Sequence, residues 1–154
     1  MPNVQSYRAI VTTQVFLAVL MLLAGSGIYL LFRSKTLYIY KWCAVLGFSE
    51  SLSNLRCAVS GWNVSEFVKF NLPDGLYCAA YILIMDAIWY KESGWMKYFI
   101  VFLVPFVTIS SEALQYFGVV RGTFDYSDLV CYAIPPLTYF FILIELYSLK
   151  QKKK

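Results

Sequence analysis

The segment from Val11 to Phe32, VTTQVFLAVLMLLAGSGIYLLF, contains no charged residue and decides the class of the protein. A helix needs about 20 predominantly apolar residues to cross the hydrocarbon core of a bilayer. The segment meets that length and no small-residue cleavage site follows it, so we expect a retained transmembrane helix and not a cleaved signal peptide. Its small residues, Ala24 to Gly27, favour close packing against a neighbouring helix.

The whole chain has the composition of a membrane protein. Of its 154 residues, 60% are hydrophobic and 14% are charged, whereas soluble domains are about 45–50% apolar. We therefore expect a single transmembrane domain over residues 1–154, with membrane lipids and no nucleic acid as partners. Four lysines crowd the C-terminus, and the positive-inside rule predicts that this end is cytoplasmic. They are Lys150, Lys152, Lys153 and Lys154.

Further apolar segments predict an all-α membrane protein with four transmembrane helices. The four spans cover about residues 11–32, 72–90, 95–117 and 125–147. The second span has a well-marked start, because Asn71 is a capping residue, Pro73 suits the first turn and Asp74 favours the positive end of a helix. The third and fourth spans contain prolines and should be bent.

The connection over residues 36–70 is apolar in part but carries several charges, among them Lys41, Glu50 and Arg56. Each charge near the centre of a bilayer costs roughly 2.5–3.5 kcal/mol, so we interpret this segment as interfacial helices. With four spans both termini lie in the cytoplasm. A fifth span over about residues 37–55 is the alternative, since it would return Arg33 and Lys35 to the cytoplasmic side.

Most polar residues at membrane depth are predicted to meet at the extracytoplasmic ends of the last three spans. They are Asp74, Glu112, Gln115, Arg121, Asp125 and Asp128. Glu112 and Gln115 share one helix face because they are a turn apart, and Arg121 is close enough in sequence to pair with Glu112 or Asp125. Ionisable groups there need a bundle-facing or watery position, which predicts a polar pocket. A purely structural role, as helix caps and an ion pair, is the alternative.

The stretch from Ser111 to Leu129 resembles the signature of the VanZ-like family of bacterial integral membrane proteins. In that family a Glu-x-x-Gln pair closes one helix, an Arg and a Phe-Asp pair follow in the loop, and a second Asp opens the last helix. The matching positions are Glu112, Gln115, Arg121, Phe124, Asp125 and Asp128. The resemblance implies a cell-envelope protein of the bacterial cytoplasmic membrane, and the family's namesake is associated with resistance to the glycopeptide antibiotic teicoplanin.

Three functions fit these residues. The first is recognition of a lipid-linked or cell-wall headgroup, an envelope precursor or a glycopeptide by the polar pocket. The second is an intramembrane enzyme acting on a lipid or peptide, with Glu112 as general acid or base. The third is a small structural or ion-handling subunit. The residues alone do not decide whether the protein is an enzyme.

The remaining polar and sulfur-containing residues predict structural roles. Asp86 and Glu145 should pair with Lys91 and the lysine tail or extend to the interface. The four cysteines include no CxxC pair and the chain has no histidine, so the usual zinc and haem ligand sets are missing. We expect buried thiols, no obligatory disulfide, no metal and no cofactor.

Overall fold

A computed structural model describes residues 4–152 of the chain, and all regular structure within that range is helical. The helices are α1 (Val4–Phe32), α2 (Tyr38–Val45), α3 (Ser49–Ala58), α4 (Glu66–Phe70), α5 (Leu72–Ile88), α6 (Trp95–Tyr116) and α7 (Tyr126–Lys152). The sequence-derived bounds of α5 and α6 are confirmed to within two residues, whereas α1 begins earlier and α7 ends later than expected.

Three of these helices are long and apolar enough to cross a membrane, over Tyr7–Phe32, Trp95–Tyr116 and Tyr126–Glu145. The prediction of an all-helical integral membrane protein is thereby confirmed. The remaining long helix, α5, has 17 residues and is therefore about 25 Å long, a little less than the roughly 30 Å of a hydrocarbon core.

Helix α5 forms the centre of the bundle and contacts α1, α6 and α7. Its buried residues Cys78 and Ile82 pack with Val101 of α6 and Tyr139 of α7. A Cβ atom added at Gly25 of α1 would lie 3.1 Å from the Tyr77 ring of α5. The close approach predicted for the small residues of α1 is therefore confirmed at Gly25.

The long helices alternate in direction, so two ends of the bundle can be distinguished. Asn71, which precedes α5, bonds to Asp128 in the first turn of α7. Gln14 in the first half of α1 bonds to Asp86 in the last turn of α5. One end of the bundle thus holds the starts of α5 and α7 with the end of α6. The opposite end holds the end of α5 with the start of α6.

The connection between α1 and α5 consists of three short helices instead of a membrane span. Helices α2, α3 and α4 have 8, 10 and 5 residues, and each is too short to cross a bilayer. Gly47 separates α2 from α3 with a φ of 79°, a conformation that glycine adopts without strain. The structure therefore contains no single helix over residues 37–55, where a fifth span was considered.

Prolines lie inside the two helices in which the sequence placed them. Pro105 is buried within α6, and Pro135 and Pro136 lie within α7. Asn71, in contrast, does not cap α5: its backbone is helical and its side chain makes no capping hydrogen bond. That prediction is wrong because the Asn71 amide bonds to α7 instead.

Candidate functional site

Four carboxylates gather at the end of the bundle where α5 and α7 begin and α6 ends. They are Asp74, Glu112, Asp125 and Asp128, and we call this group the carboxylate mouth. Asp74 lies in the first turn of α5 and Asp128 in the first turn of α7. Asp74 lies within electrostatic range of Asp128 and Glu112, and Glu112 lies within range of Asp125 and Asp128. The sequence-predicted clustering of these acids is present in the structure.

Asn71 ties two of the carboxylates together. Its Nδ2 donates to Oδ1 of Asp128 at 2.6 Å and to Oδ2 of Asp125 at 3.4 Å. The Asn71 residue is only 5% exposed, so its amide is a buried donor committed to these acids. Asn71 was expected to be a helix cap, and no signal in the sequence pointed to a partner more than fifty positions away.

Glu112 is the least exposed member of the mouth. The residue is only 7% exposed, and its Oε2 atom is buried without a hydrogen-bond partner among the described residues. A buried carboxylate oxygen without a donor costs free energy, commonly about 1–3 kcal/mol or more for a charged group. Glu112 therefore presents an unsatisfied acceptor beside Asp125 and Asp128.

Asp125 caps the start of α7 with its side chain. Its Oδ1 accepts the backbone N–H of Ser127 at 2.8 Å, and it immediately precedes the first residue of α7. This hydrogen bond lowers the pKa of Asp125 below its ordinary value, and the Asn71 amide acts in the same direction. Asp125 is thus ionised at neutral pH and combines the role of helix cap with its place in the mouth.

Gln115 packs against the loop that joins α6 to α7. A Cβ atom added at Gly122 would lie 2.7 Å from Cδ of Gln115, and Gly122 has a φ of 152°. The Gln115 side chain therefore covers the loop backbone at a position where only glycine fits. Gln115 thus contacts the α6–α7 loop.

Arg121 does not form the predicted ion pair with Glu112 or Asp125. It is exposed, and the one salt bridge found within residues 4–152 lies elsewhere in the bundle. The guanidinium within electrostatic range of Asp74 is instead that of Arg33, at the end of α1. Arg33 donates to the Phe70 carbonyl oxygen at 3.1 Å and stacks on the Phe70 ring at 4.8 Å.

A second polar cluster lies at the opposite end of the bundle, and we call it the buried ion pair. Lys97 Nζ of α6 lies 2.6 Å from Asp86 Oδ1 of α5. Gln14 of α1 donates to the other Asp86 oxygen at 2.6 Å, and the Tyr139 hydroxyl of α7 donates to Oδ1 at 2.5 Å. Asp86 is 8% exposed and Lys97 7%. One carboxylate thus connects all four long helices.

The partner predicted for Asp86 was wrong. Lys91 is exposed and lies over the Tyr7 ring at 5.0 Å, whereas Lys97 is buried against Asp86. Breaking a buried ion pair by removing one partner typically costs about 3–5 kcal/mol, because an uncompensated charge remains. The Asp86 carboxylate has three donors, so the buried ion pair is better explained as a structural element than as a ligand-binding site.

Within residues 4–152 no group of acids and cysteines has the geometry of a metal site. Cys78 and Cys131 are buried in the bundle as expected, but Cys57 is exposed. The mouth brings four carboxylates together and leaves the Oε2 atom of Glu112 without a hydrogen-bond partner among the described residues. It is therefore suited to a ligand that supplies N–H or O–H donors, above all an ammonium group with three of them.

No protein-family model matches the chain, and no curated protein or solved structure matches it either.

Proposed function

We propose that this protein is a VanZ-like membrane protein of the bacterial cell envelope, and that its carboxylate mouth recognises the amine and hydroxyl groups of a lipid-linked or cell-wall headgroup. The observation that carries the proposal is the buried Oε2 atom of Glu112, which has no donor among the described residues. A bound headgroup that donates to this oxygen would remove the cost of leaving it unsatisfied.

The distribution of charge supports an amine rather than a phosphate as the recognised group. Glu112 faces Asp125 and Asp128, and Arg121 is exposed away from any ion pair. An anionic group would be repelled by these acids, whereas an ammonium group would form charge-assisted hydrogen bonds with them. The proposal therefore gives Arg121 no phosphate or carboxylate to hold.

The same proposal includes a topology. Helix α5 serves as a fourth span, the lysine tail lies in the cytoplasm, and the mouth opens at the extracytoplasmic surface. Support comes from the alternating directions of α1, α5, α6 and α7, which put the C-terminal end of α7 and the mouth at opposite ends of the bundle. The short helices α2 to α4 then lie at the outer interface.

A lipid-retention experiment tests the mouth. The purified protein would be placed in nanodiscs with either phosphatidylethanolamine, which has a primary amine, or phosphatidylcholine, whose methylated nitrogen has no N–H donor. We expect preferential retention of phosphatidylethanolamine, measured by native mass spectrometry. Glu112→Gln should reduce that preference at least about tenfold, because a charge-assisted hydrogen bond of roughly 1.5–3 kcal/mol is lost.

The matched control is Glu92→Gln, which removes an exposed carboxylate at the opposite end of the bundle and should leave the preference unchanged. Equal retention of the two lipids by the wild-type protein, or an unchanged preference in folded Glu112→Gln, would refute amine recognition by the mouth. The same spectra would show any hydrolysed lipid, and its accumulation would favour an intramembrane enzyme over a binding protein.

A further inference from the structure

A set of basic residues borders two adjoining cavities beside the short helices α2, α3 and α4. The cavities have volumes of about 270 and 380 Å³ and share Lys35, Ser53 and Arg56 in their walls. Lys69 of α4 and Trp62 border the larger cavity. No residue of the carboxylate mouth lines either cavity, so this basic pocket is a separate feature.

Arg56 is held in place by contacts with α1 and α2. One terminal nitrogen donates to the Leu30 carbonyl oxygen at 2.7 Å and also contacts the Tyr40 hydroxyl. The Tyr40 hydroxyl in turn donates to the same carbonyl oxygen at 2.7 Å. Since a guanidinium has five N–H donors, Arg56 keeps donors for a ligand while its position is fixed by the end of α1.

Lys35 and Lys69 make no ion pair within the described residues. The connection over residues 33–69 contains five cationic side chains and only two carboxylates, Glu50 and Glu66. Both carboxylates are exposed, and neither borders the cavities. The pocket therefore concentrates positive charge together with serine hydroxyls, which is the donor set that a phosphate group prefers.

The apolar surroundings of the pocket favour a lipid, and not a free anion, as the source of the phosphate. Helices α2 and α3 and the turns that follow them expose large apolar side chains, and this segment joins α1, which is long and apolar enough to span a membrane, to α5. The exposed side chains are Tyr38, Trp42, Val45, Leu46, Phe48, Leu55 and Trp62. Such a surface suits the headgroup region of a bilayer, where Lys35, Arg56 and Lys69 would lie at the level of lipid phosphates.

We propose that the basic pocket formed by Lys35, Arg56 and Lys69 is a binding site for the phosphate of an anionic phospholipid. The site is independent of the carboxylate mouth, which is proposed to take an amine. Each basic side chain near an anionic headgroup improves binding roughly fivefold. Neutralising the two lysines should therefore weaken the preference for anionic over zwitterionic lipid by about 25-fold.

Quenching of Trp62 by lipids with brominated acyl chains tests the site. A variant with Trp42, Trp89 and Trp95 replaced by Phe leaves Trp62 as the single tryptophan. In neutral detergent we expect brominated phosphatidylglycerol to quench at a concentration at least about 25-fold lower than brominated phosphatidylcholine. Lys35→Gln combined with Lys69→Gln should bring the two concentrations together.

Lys41→Gln with Lys91→Gln is the matched control, because these lysines have the same charge but do not border the cavities. It should preserve the preference, and Lys35→Arg with Lys69→Arg should do so as well. Equal quenching by the two lipids in the otherwise wild-type protein would overturn the proposal. A preference that survives Lys35→Gln and Lys69→Gln would also overturn it.

Inorganic phosphate separates a lipid site from a site for free phosphate. At an ionic strength matched with chloride, added phosphate should displace brominated phosphatidylglycerol no better than chloride does. Selective displacement by phosphate would show that a free anion is the preferred occupant, which contradicts the proposal. Circular dichroism of each variant in the same detergent verifies that the helices are retained.

Discussion

The carboxylate mouth and the buried ion pair lie at opposite ends of the same four long helices but satisfy their charges differently. Asp86 has a lysine, a glutamine and a tyrosine as donors. Glu112 is equally buried, yet one of its oxygens has no partner among the described residues. Asp74 and Asp86 are about 18 Å apart along the helix axis, at 1.5 Å per residue. Burial alone therefore does not distinguish a structural charge from a binding group, whereas the supply of donors does.

Lys97→Met should have the largest effect on stability. It leaves Asp86 buried without its cation, which should lower the free energy of unfolding by about 3–5 kcal/mol. Denaturant titration in detergent, followed by circular dichroism, would measure the change. Lys91→Met is the control and should cost less than about 1 kcal/mol, because only an exposed cation–π contact is lost.

A double substitution tests whether Asp86 and Lys97 are energetically coupled. Asp86→Leu added to Lys97→Met removes both charges, so it should be more stable than Lys97→Met alone, since replacing a buried ion pair by apolar groups is often neutral. If the two substitutions are simply additive, Asp86 and Lys97 are not coupled and the ion pair is not the element that joins the helices.

Asn71→Ala should have the second largest effect. It removes the amide that donates to Asp128 and Asp125 and leaves adjacent carboxylates to repel each other. We expect a loss of about 1.5–3 kcal/mol, the usual range for hydrogen bonds to charged groups, in the same denaturant titration. Asn63→Ala changes an exposed asparagine and should have almost no effect. A similar loss in both variants would argue against the hydrogen bonds from Asn71 to Asp125 and Asp128.

Glu112→Gln should act on stability in the opposite direction to Lys97→Met. In the absence of ligand it removes a negative charge from a group of acids, so stability should be unchanged or raised by up to about 1 kcal/mol. Thermal unfolding in detergent without added lipid would measure this. A loss of more than about 2 kcal/mol would mean that Glu112 has a structural partner, as Asp86 has.

Lowering the pH should slightly destabilise the folded protein, because Asp125 becomes protonated. The folded protein lowers the pKa of Asp125 because the Ser127 N–H donates to it. Its stabilising contribution is therefore complete above the unfolded pKa of about 3.9, and it is lost as the pH falls through the lower folded pKa. Asp125→Asn should lose less stability than the wild-type protein between about pH 6 and pH 3. An identical loss of stability on acidification in both proteins would contradict this role of Asp125.

The helices were predictable because length and apolarity decide them without any knowledge of packing. The segment predicted over residues 95–117 forms α6 (Trp95–Tyr116), and the segment predicted over residues 72–90 forms α5 (Leu72–Ile88). The gathering of Asp74, Glu112 and Asp128 was also predictable, since alternating spans bring the start of one helix to the end of the next. These predictions depend on position along the helix axis alone.

The partners of individual charges were not predictable, because they depend on how each helix is rotated about its axis. Lys91 and Lys97 are both near the end of α5 in sequence, but only Lys97 faces Asp86. Arg121 is near the acids in sequence, yet Arg33, from the distant end of α1, lies within range of Asp74. A single sequence gives no information about these rotations, and the basic pocket of Lys35, Arg56 and Lys69 was missed for the same reason.

The carboxylate mouth requires that the starts of α5 and α7 lie side by side. Formation of one engineered disulfide tests this directly. A Cβ atom added at Gly75 would lie 3.4 Å from the Cβ of the native Cys131, close to the roughly 3.5–4.5 Å found in disulfides. Gly75→Cys should therefore form an intramolecular bond with Cys131 under mild oxidation, identified by mass spectrometry of linked peptides. Gly94→Cys, at an open position, should not. If Gly75→Cys folds in the membrane but stays unlinked to Cys131, the starts of α5 and α7 do not meet and the mouth does not exist.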